Sequence, residues 1–343
     1  MSTTEAATGM ASDGDCRLRE LQAFDDTKAG VKGLVDSGIT SIPAIFRHPP
    51  DSVTKTMSTS MAIPVIDLSS ARPEELVDQL LTGMLAAVKR FNEQPIEAKR
   101  PYYMRDISQK IMFYSNVDLF QSSAASWVDT ITCLVAPEPP LPEELPQAIR
   151  DVMLEYGDAV TELAMLIHGQ HGEPSCGEPL LPPMPGAAPY LGTSKHTDVG
   201  FITVLLQDAI GGLQVLADRG DDSHQFWVDV PPLPGALTIN IGDMLQLVSN
   251  ARFRSVEHRV LANQSKDTPR ISVASFFTAE YMKTPTRLYG PITELTSSDC
   301  CNPPLYRSVT AQEFVAHFHK KGFESRHRLD YFKLEQDTPP TPM

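Results

Sequence analysis

The sequence predicts a mainly β protein of the sandwich or jelly-roll type, with α-helices beside the β region. From residue 193 onward, six short apolar runs follow one another, separated by turn residues such as Pro234-Gly235 and Gly242-Asp243. Two long stretches with apolar residues at helical spacing precede these runs. Many short strands punctuated by turns are typical of sandwiches and jelly rolls.

The predicted elements follow from these patterns in chain order. An amphipathic helix broken near Gly30 is predicted first, and two long core-facing helices follow later in the chain. Predicted helices cover residues 17–37, 73–100, 146–168 and 310–321. Predicted strands cover residues 63–68, 202–206, 213–216, 226–230, 236–241, 253–260 and 271–277, with further short strands within 107–136. Gly, Pro and Glu dominate residues 169–192, which we therefore interpret as a loop.

Composition and charge exclude several classes of function. The 343 residues carry a net charge of −14 and 41% are hydrophobic. An acidic chain without Lys/Arg clusters is unsuited to nucleic acid or anionic membranes. The five cysteines lack metal-type spacing, and the N-terminus has no basic, apolar signal pattern. We therefore expect a monomeric cytoplasmic protein that acts on a small molecule and has no membrane segment.

A candidate metal site begins at the triplet His196-Thr197-Asp198. In a strand, residues two apart project from the same face, so the imidazole and the carboxylate should point together. The triplet alone is weak evidence, because it arises by chance and a lone surface His is usually only solvated. His258, in a later strand-like run, supplies a second imidazole. Two imidazoles and one carboxylate suit a redox-active Fe(II) that keeps positions open for substrate and oxygen.

A candidate anion receptor lies in the next apolar run. Arg270 and Ser272 are two residues apart and should therefore share one face of a strand. A guanidinium fork beside a hydroxyl is a good receptor for a carboxylate in a pocket.

These motifs together resemble the H-x-D…H…R-x-S signature of plant iron- and 2-oxoglutarate-dependent dioxygenases. Flanking runs match as well, and they include Gly211-Gly212-Leu213-Gln214-Val215, Asn240-Ile241-Gly242-Asp243 and Glu257-His258-Arg259-Val260. Within that superfamily the chain most resembles the 1-aminocyclopropane-1-carboxylate oxidase homologs. The runs Arg19-Glu20-Leu21-Gln22-Ala23-Phe24-Asp25-Asp26-Thr27-Lys28 and Ile45-Phe46-Arg47-His48-Pro49-Pro50 are similar to those of grass benzoxazinoid-glucoside dioxygenases.

The resemblance implies a double-stranded β-helix, a jelly-roll core with flanking helices. It implies Fe(II) bound by His196, Asp198 and His258, with O2 as oxidant and ascorbate as a stimulant. The co-substrate 2-oxoglutarate would be held by Arg270 and Ser272. The implied reaction is hydroxylation, or a related oxidation, of a small plant secondary metabolite of the benzoxazinoid kind. Phe201, Phe276 and Phe277 are candidate pocket residues, although each could be an ordinary core aromatic. Phe277 is preferred because it follows the Arg-x-Ser run towards the mouth of the pocket.

The implied domain organisation has four regions. Residues 1–60 form an N-terminal extension, 61–180 a helical and strand region, 181–300 the dioxygenase jelly roll, and 301–343 a C-terminal helix and tail.

Two segments that the family pattern predicts are absent from this sequence. One is a Gly-Phe-Phe strand ending in Asn-His-Gly, expected after Leu68. The other is an Asn-x-Tyr-Tyr-Pro strand, in whose place stands the run Leu180-Leu181-Pro182-Pro183-Met184-Pro185-Gly186. The absent Tyr-bearing strand leaves open a catalytically impaired relative that binds a small molecule. A separate alternative is a metal-binding jelly roll of the cupin kind with a non-redox role, which the Arg270 and Ser272 pair disfavours.

Overall fold

The computed structural model describes residues 13–48, 63–67, 74–136, 138–168, 173–181, 191–217, 225–263, 265, 268–279, 286–296, 302–321 and 328–334. Helices are α1 (Asp13–Asp26), α2 (Gly30–Asp36), α3 (Glu74–Glu93), α4 (Ile96–Lys99), α5 (Arg150–His168), α6 (Asp243–Val248) and α7 (Ala311–Lys321). Strands are β1 (Ile111–Ser115), β2 (Asp129–Cys133), β3 (Glu173–Leu181), β4 (Leu191–His196), β5 (Ile202–Gln207), β6 (Leu213–Ala217), β7 (Phe226–Asp229), β8 (Thr238–Ile241), β9 (His258–Leu261), β10 (Arg270–Thr278), β11 (Leu288–Tyr289) and β12 (Val309–Thr310).

The strands of the described residues form two larger antiparallel sheets. One sheet has the order β1-β2-β3-β10-β5-β8, and the other has the order β4-β9-β6-β7. Strands that follow one another along the chain from β4 to β10 are divided between the two sheets. This arrangement confirms the predicted jelly-roll core with flanking helices.

One face of the six-stranded sheet is covered by the two long helices. The side chains of Ile202, Val204 and Leu206 on β5 and of Val273 and Phe277 on β10 join the apolar cluster that includes α3 and α5. Because side chains alternate along a strand, Thr203, Gln207, Arg270 and Ser272 lie on the opposite face. Hydrogen bonds link that opposite face to the loops beside the four-stranded sheet, for example from Arg270 to the carbonyl of Gly211.

The N-terminal helix is broken as predicted, between α1 and α2. Gly30 adopts a φ of 67°, and a side chain there would overlap the carboxylate of Asp129 on β2. That carboxylate accepts hydrogen bonds from the backbone N–H groups of Val31, at 2.7 Å, and Lys32, at 2.8 Å. The start of α2 is thereby fastened to the six-stranded sheet.

The structure corrects three predictions of secondary structure. Residues 63–67 form no strand, because Val65 and Ile66 stay 74% and 80% exposed and Pro64 has no N–H to donate. The stretch 173–181, predicted as loop, forms β3, which pairs with both β2 and β10. Hydrogen bonding to a strand on each side stabilises the extended conformation of this segment, although its Gly and Pro residues disfavour a strand. The strand predicted over 253–260 is reduced to β9, which begins at His258.

The C-terminal region packs against the turn that follows β4. Phe201 lies in a cluster with α6, α7 and the 3₁₀ turn Arg328–Phe332, whose aromatic members include Phe314, Phe318 and Phe332. The predicted terminal helix is confirmed as α7. No helix among the described residues is long and apolar enough to cross a membrane. Predictions that concern residues 49–60 and the tail after residue 334 lie outside the described residues.

Candidate metal centre

The two histidines meet because their strands are neighbours. His196 is the last residue of β4 and His258 is the first residue of β9. These residues are direct partners in the antiparallel register, and their ring centroids are 4.3 Å apart. Register irregularities in β4 on either side of Thr193 shift the strand so that its last residue faces His258.

Asp198 reaches the same point from a turn, not from a strand. We had expected His196 and Asp198 to project from one strand, but β4 ends at His196 and residues 197–201 form a turn before β5. The Asp198 Oδ1 atom nevertheless lies 3.7 Å from His196 Nε2 and 3.6 Å from His258 Nε2. One ligand atom from each of the three residues lies within 4.8 Å of the others.

Backbone carbonyls orient both imidazoles. His196 Nδ1 lies 2.7 Å from the carbonyl oxygen of Ser194, and His258 Nδ1 lies 3.3 Å from that of Val256. A ring that donates through Nδ1 keeps its lone pair on Nε2, the atom that faces Asp198. Both rings therefore present a ligand atom to the same point.

The two oxygens of Asp198 have different roles. Oδ2 accepts hydrogen bonds from Thr203 Oγ1, at 2.5 Å, and from Asn240 Nδ2, at 2.8 Å. Oδ1 faces the two imidazoles. The carboxylate is thus held by one oxygen and offers the other as a single ligand atom.

The protonation states suit a metal. Burial, followed by the neighbouring His258, lowers the pKa of His196 to about 4. Burial alone would raise the pKa of Asp198, but the two imidazoles and the hydrogen bonds from Thr203 and Asn240 hold it below its ordinary value. Neutral imidazole and ionised carboxylate are the forms that bind metals. His196 and Asp198 therefore favour these forms, and together with His258 they make the set of two His and one carboxylate that is characteristic of non-haem Fe(II).

Arg270 and Ser272 lie together on the same face of β10, as predicted. Arg270 is almost fully buried, and its Nη1 donates to Ser272 Oγ at 2.8 Å. Its Nε donates to the Gly211 carbonyl at 2.6 Å and its Nη2 to Gln207 Oε1 at 3.2 Å. Burial lowers the pKa of Arg270 to about 10, so the group remains cationic at neutral pH.

The direct partners of Arg270 are all neutral. The carboxylate of Asp208, which accepts from the N–H of Ile271, acts on the guanidinium through space and partly offsets the effect of burial on the pKa of Arg270. A buried cation whose direct hydrogen-bond acceptors are all neutral is well suited to receive an anionic ligand.

Two of the three predicted pocket aromatics lie elsewhere. Phe201 is buried in the C-terminal cluster, and Phe277 is buried against α3 and α5. Phe276 shares the face of Arg270 and Ser272, and its register partner on β5 is Thr203. Phe276 was also a candidate from the sequence, and the alternation of β10 favours it over Phe277, since it is an even number of residues from Arg270.

Comparisons with known proteins agree with this geometry. Residues 162–279 match the family described as the 2OG-Fe(II) oxygenase superfamily. The chain is 42% identical to 1-aminocyclopropane-1-carboxylate oxidase homolog 1 of Arabidopsis thaliana, over 92% of this chain and 96% of that protein. A homolog from Solanum lycopersicum is 40% identical, over 93% and 97% of the two chains. The first alignment extends over 360 positions, more than the 343 residues of this chain.

Solved structures share the fold. JOX2 in complex with 2OG, Fe and JA superimposes with a TM-score of 0.72 at 24% identity, over 89% of this chain and 97% of that one. A rice dioxygenase for auxin oxidation superimposes with a TM-score of 0.56 over 74% of this chain and 86% of that one. The chain is therefore a 2-oxoglutarate- and Fe(II)-dependent dioxygenase of the 2OG-Fe(II) oxygenase superfamily, belonging with the plant 1-aminocyclopropane-1-carboxylate oxidase homologs.

Proposed function

We propose that this enzyme oxidises a C–H bond of a small plant secondary metabolite, with Fe(II) held by His196, Asp198 and His258. Fe(II) and 2-oxoglutarate are the cofactors of its family. The observation that carries the assignment to these residues is the convergence of three ligand atoms within 4.8 Å of one another. When bound, iron with 2-oxoglutarate and O2 supplies the oxidation, and 2-oxoglutarate is converted to succinate and carbon dioxide.

The protein's own residues supply position and charge. We propose that Arg270 binds the far carboxylate of 2-oxoglutarate through parallel N–H···O bonds and that Ser272 adds another. A hydrogen bond to a charged group contributes roughly 1.5–3 kcal/mol. Loss of Arg270 should therefore raise the 2-oxoglutarate concentration that the enzyme needs. Loss of His196, Asp198 or His258 should remove the iron and abolish turnover.

We propose a benzoxazinoid-like prime substrate. The support is the likeness of residues 19–28 and 45–50 to grass DIBOA-glucoside dioxygenase. Phe276, on the face of Arg270 and Ser272, is our candidate pocket aromatic in place of Phe277. The net charge of −14 favours small-molecule partners over nucleic acid. The odd number of cysteines, two of them adjacent at Cys300 and Cys301, supports a reducing and therefore cytoplasmic compartment.

Anaerobic absorption spectroscopy with added Fe(II) and 2-oxoglutarate tests this proposal. We expect a visible charge-transfer band that is lost in Asp198→Ala and weakened in Arg270→Ala. Arg105→Ala is the matched control, because Arg105 pairs with Asp25 of α1, outside the candidate centre. Absence of the band from folded wild-type protein would refute the assignment of the site.

A second candidate function is a catalytically impaired relative that binds a small molecule. The run from Leu180 to Gly186 contains no Tyr, although the family pattern places a co-substrate-binding Tyr in that position. A ligand-dependent rise in melting temperature without succinate formation would favour this second function. Succinate formation that depends on a prime substrate would exclude it.

A further inference from the structure

The turn between two candidate iron ligands is held from the C-terminal end of the chain. Arg328 belongs to the 3₁₀ turn Arg328–Phe332. Its Nη2 donates to the carbonyl oxygen of Thr197 at 3.0 Å and to Thr197 Oγ1 at 2.8 Å. Thr197 stands between His196 and Asp198, 131 positions earlier in the chain.

Arg328 is buried against the C-terminal aromatic cluster. Only 5% of its surface is exposed, and its guanidinium carbon lies 4.5 Å from the centroid of the Phe318 ring. The next residue, Leu329, and Phe332 are buried in the cluster that also contains Phe314. A guanidinium is costly to bury, so a fixed position with directed donors is a better explanation for this residue than packing alone.

The contact with Thr197 continues to the second ligand. Thr197 Oγ1 accepts from Arg328 and donates to Asp243 Oδ2 at 2.8 Å. The backbone N–H of Asp243 in turn donates to the carbonyl oxygen of Asp198 at 2.7 Å. Arg328, Thr197 and Asp243 therefore form one chain of contacts that ends on the backbone of Asp198.

These contacts fix a backbone segment that lies outside both sheets. Residues 197–201 lie between β4 and β5, so no ladder of strand hydrogen bonds fixes the backbone of Asp198. We propose that Arg328 is a positioning residue. It fixes the conformation of the turn that carries His196 and Asp198, and so orients these two ligands for Fe(II). It has only donor groups and cannot itself be a ligand. The inference rests on the iron site proposed above.

The test is the Fe(II) dissociation constant of full-length apo protein, measured by anaerobic equilibrium dialysis. Arg328→Met keeps the apolar stem and removes the donors. Loss of a residue that orients metal ligands typically weakens affinity roughly 10–100-fold, and we expect a weakening within this range. Arg328→Lys keeps the charge but has no planar fork, and its affinity should fall between those of wild type and Arg328→Met.

Arg307→Met is the matched control. Arg307 lies against the same cluster, 5.2 Å from the Phe332 ring centroid, and pairs with the partly exposed Glu313 at 2.6 Å. A purely structural role for Arg328 predicts that both Met variants lower the melting temperature of the apo protein while Fe(II) affinity stays at the wild-type value. Our inference predicts weaker Fe(II) binding for Arg328→Met alone.

The outcomes separate this inference from the proposed function. Wild-type affinity in Arg328→Met would overturn the positioning role and leave the iron site standing. If Arg328→Met does not fold, Arg328→Lys decides instead, and wild-type affinity in that variant would overturn the inference. Failure of the wild-type protein to bind Fe(II) would overturn both the proposed site and this role.

Discussion

Asn240 and Asp198 are joined by a hydrogen bond of 2.8 Å from Asn240 Nδ2 to Asp198 Oδ2. Asn240 lies on β8 and Asp198 lies in the turn after β4, so the contact joins the six-stranded sheet to the turn that connects β4 with β5. Thr203 Oγ1 reaches the same oxygen at 2.5 Å. These two hydrogen bonds occupy Oδ2 and leave Oδ1 as the single oxygen that faces the imidazoles.

We therefore expect Asn240→Leu and Thr203→Val each to weaken Fe(II) binding, because Asp198 would no longer be fixed in orientation. The expected loss is roughly 10–100-fold for each variant, and it is measured as a dissociation constant by anaerobic dialysis. Thr132→Val is a control, because Thr132 on β2 contacts Tyr114 instead. Unchanged affinity in both site variants would show that Asp198 needs no such support.

Substitution of the two adjacent aromatic residues of β10 should affect different properties, stability for Phe277 and turnover for Phe276. Phe277→Ala removes a buried ring from the cluster against α3 and α5, and should cost about 3–5 kcal/mol of the free energy of unfolding. Phe276→Ala should cost less stability and should change 2-oxoglutarate turnover, because Phe276 faces the candidate site. Denaturant unfolding and succinate formation measure the two effects. If folded Phe277→Ala loses turnover while Phe276→Ala retains it, Phe277 and not Phe276 would be the pocket residue.

The contact between Asp129 and α2 can be tested locally. Asp129→Ala removes the acceptor of the Val31 and Lys32 amides, so the start of α2 should detach from β2. Intramolecular hydrogen bonds contribute about 0.5–1.5 kcal/mol each. Amide hydrogen exchange should show lost protection at Val31 and Lys32 with little change in β10. Retained protection at these two amides would contradict the prediction.

Lys99 should make stability depend on pH. Burial is the main cause that lowers the pKa of Lys99 below 10.5, and its Nζ donates to the Asn92 carbonyl at 2.8 Å. Between the folded-state pKa and 10.5, the unfolded chain binds more protons than the folded chain. The free energy of unfolding should therefore increase as the pH rises through that range towards 10.5.

Chemical denaturation at a series of alkaline pH values measures this effect by comparing wild type with Lys99→Met, in which the contribution is absent. Lys89→Met is the control, since Lys89 is half exposed and pairs only loosely with Glu93 at 3.8 Å. If the difference in the free energy of unfolding between wild type and Lys99→Met stays constant across this pH range, the pKa of Lys99 is the same in the folded and unfolded chain, and the prediction is wrong.

The sequence by itself determined much of this protein. Apolar periodicity located α3, α5, α7 and most strands of the jelly roll, because helix and strand periods are local properties of the chain. The spacing of Arg270 and Ser272 placed both on one face of β10, because alternation along a strand is also local. The residue types at positions 196, 198 and 258 indicated a two-His, one-carboxylate metal set before any contact was known.

Only the tertiary structure decided how these parts meet. His196 and His258 adjoin because β4 and β9 pair in one particular register, which no local pattern specifies. The segment predicted as a loop became β3 because β2 and β10 pair with it on both sides. Asp198 reaches the site from a turn, and Arg328 reaches that turn from the far end of the chain. Such contacts depend on long-range pairing and packing, which outweigh the local preferences that a sequence displays.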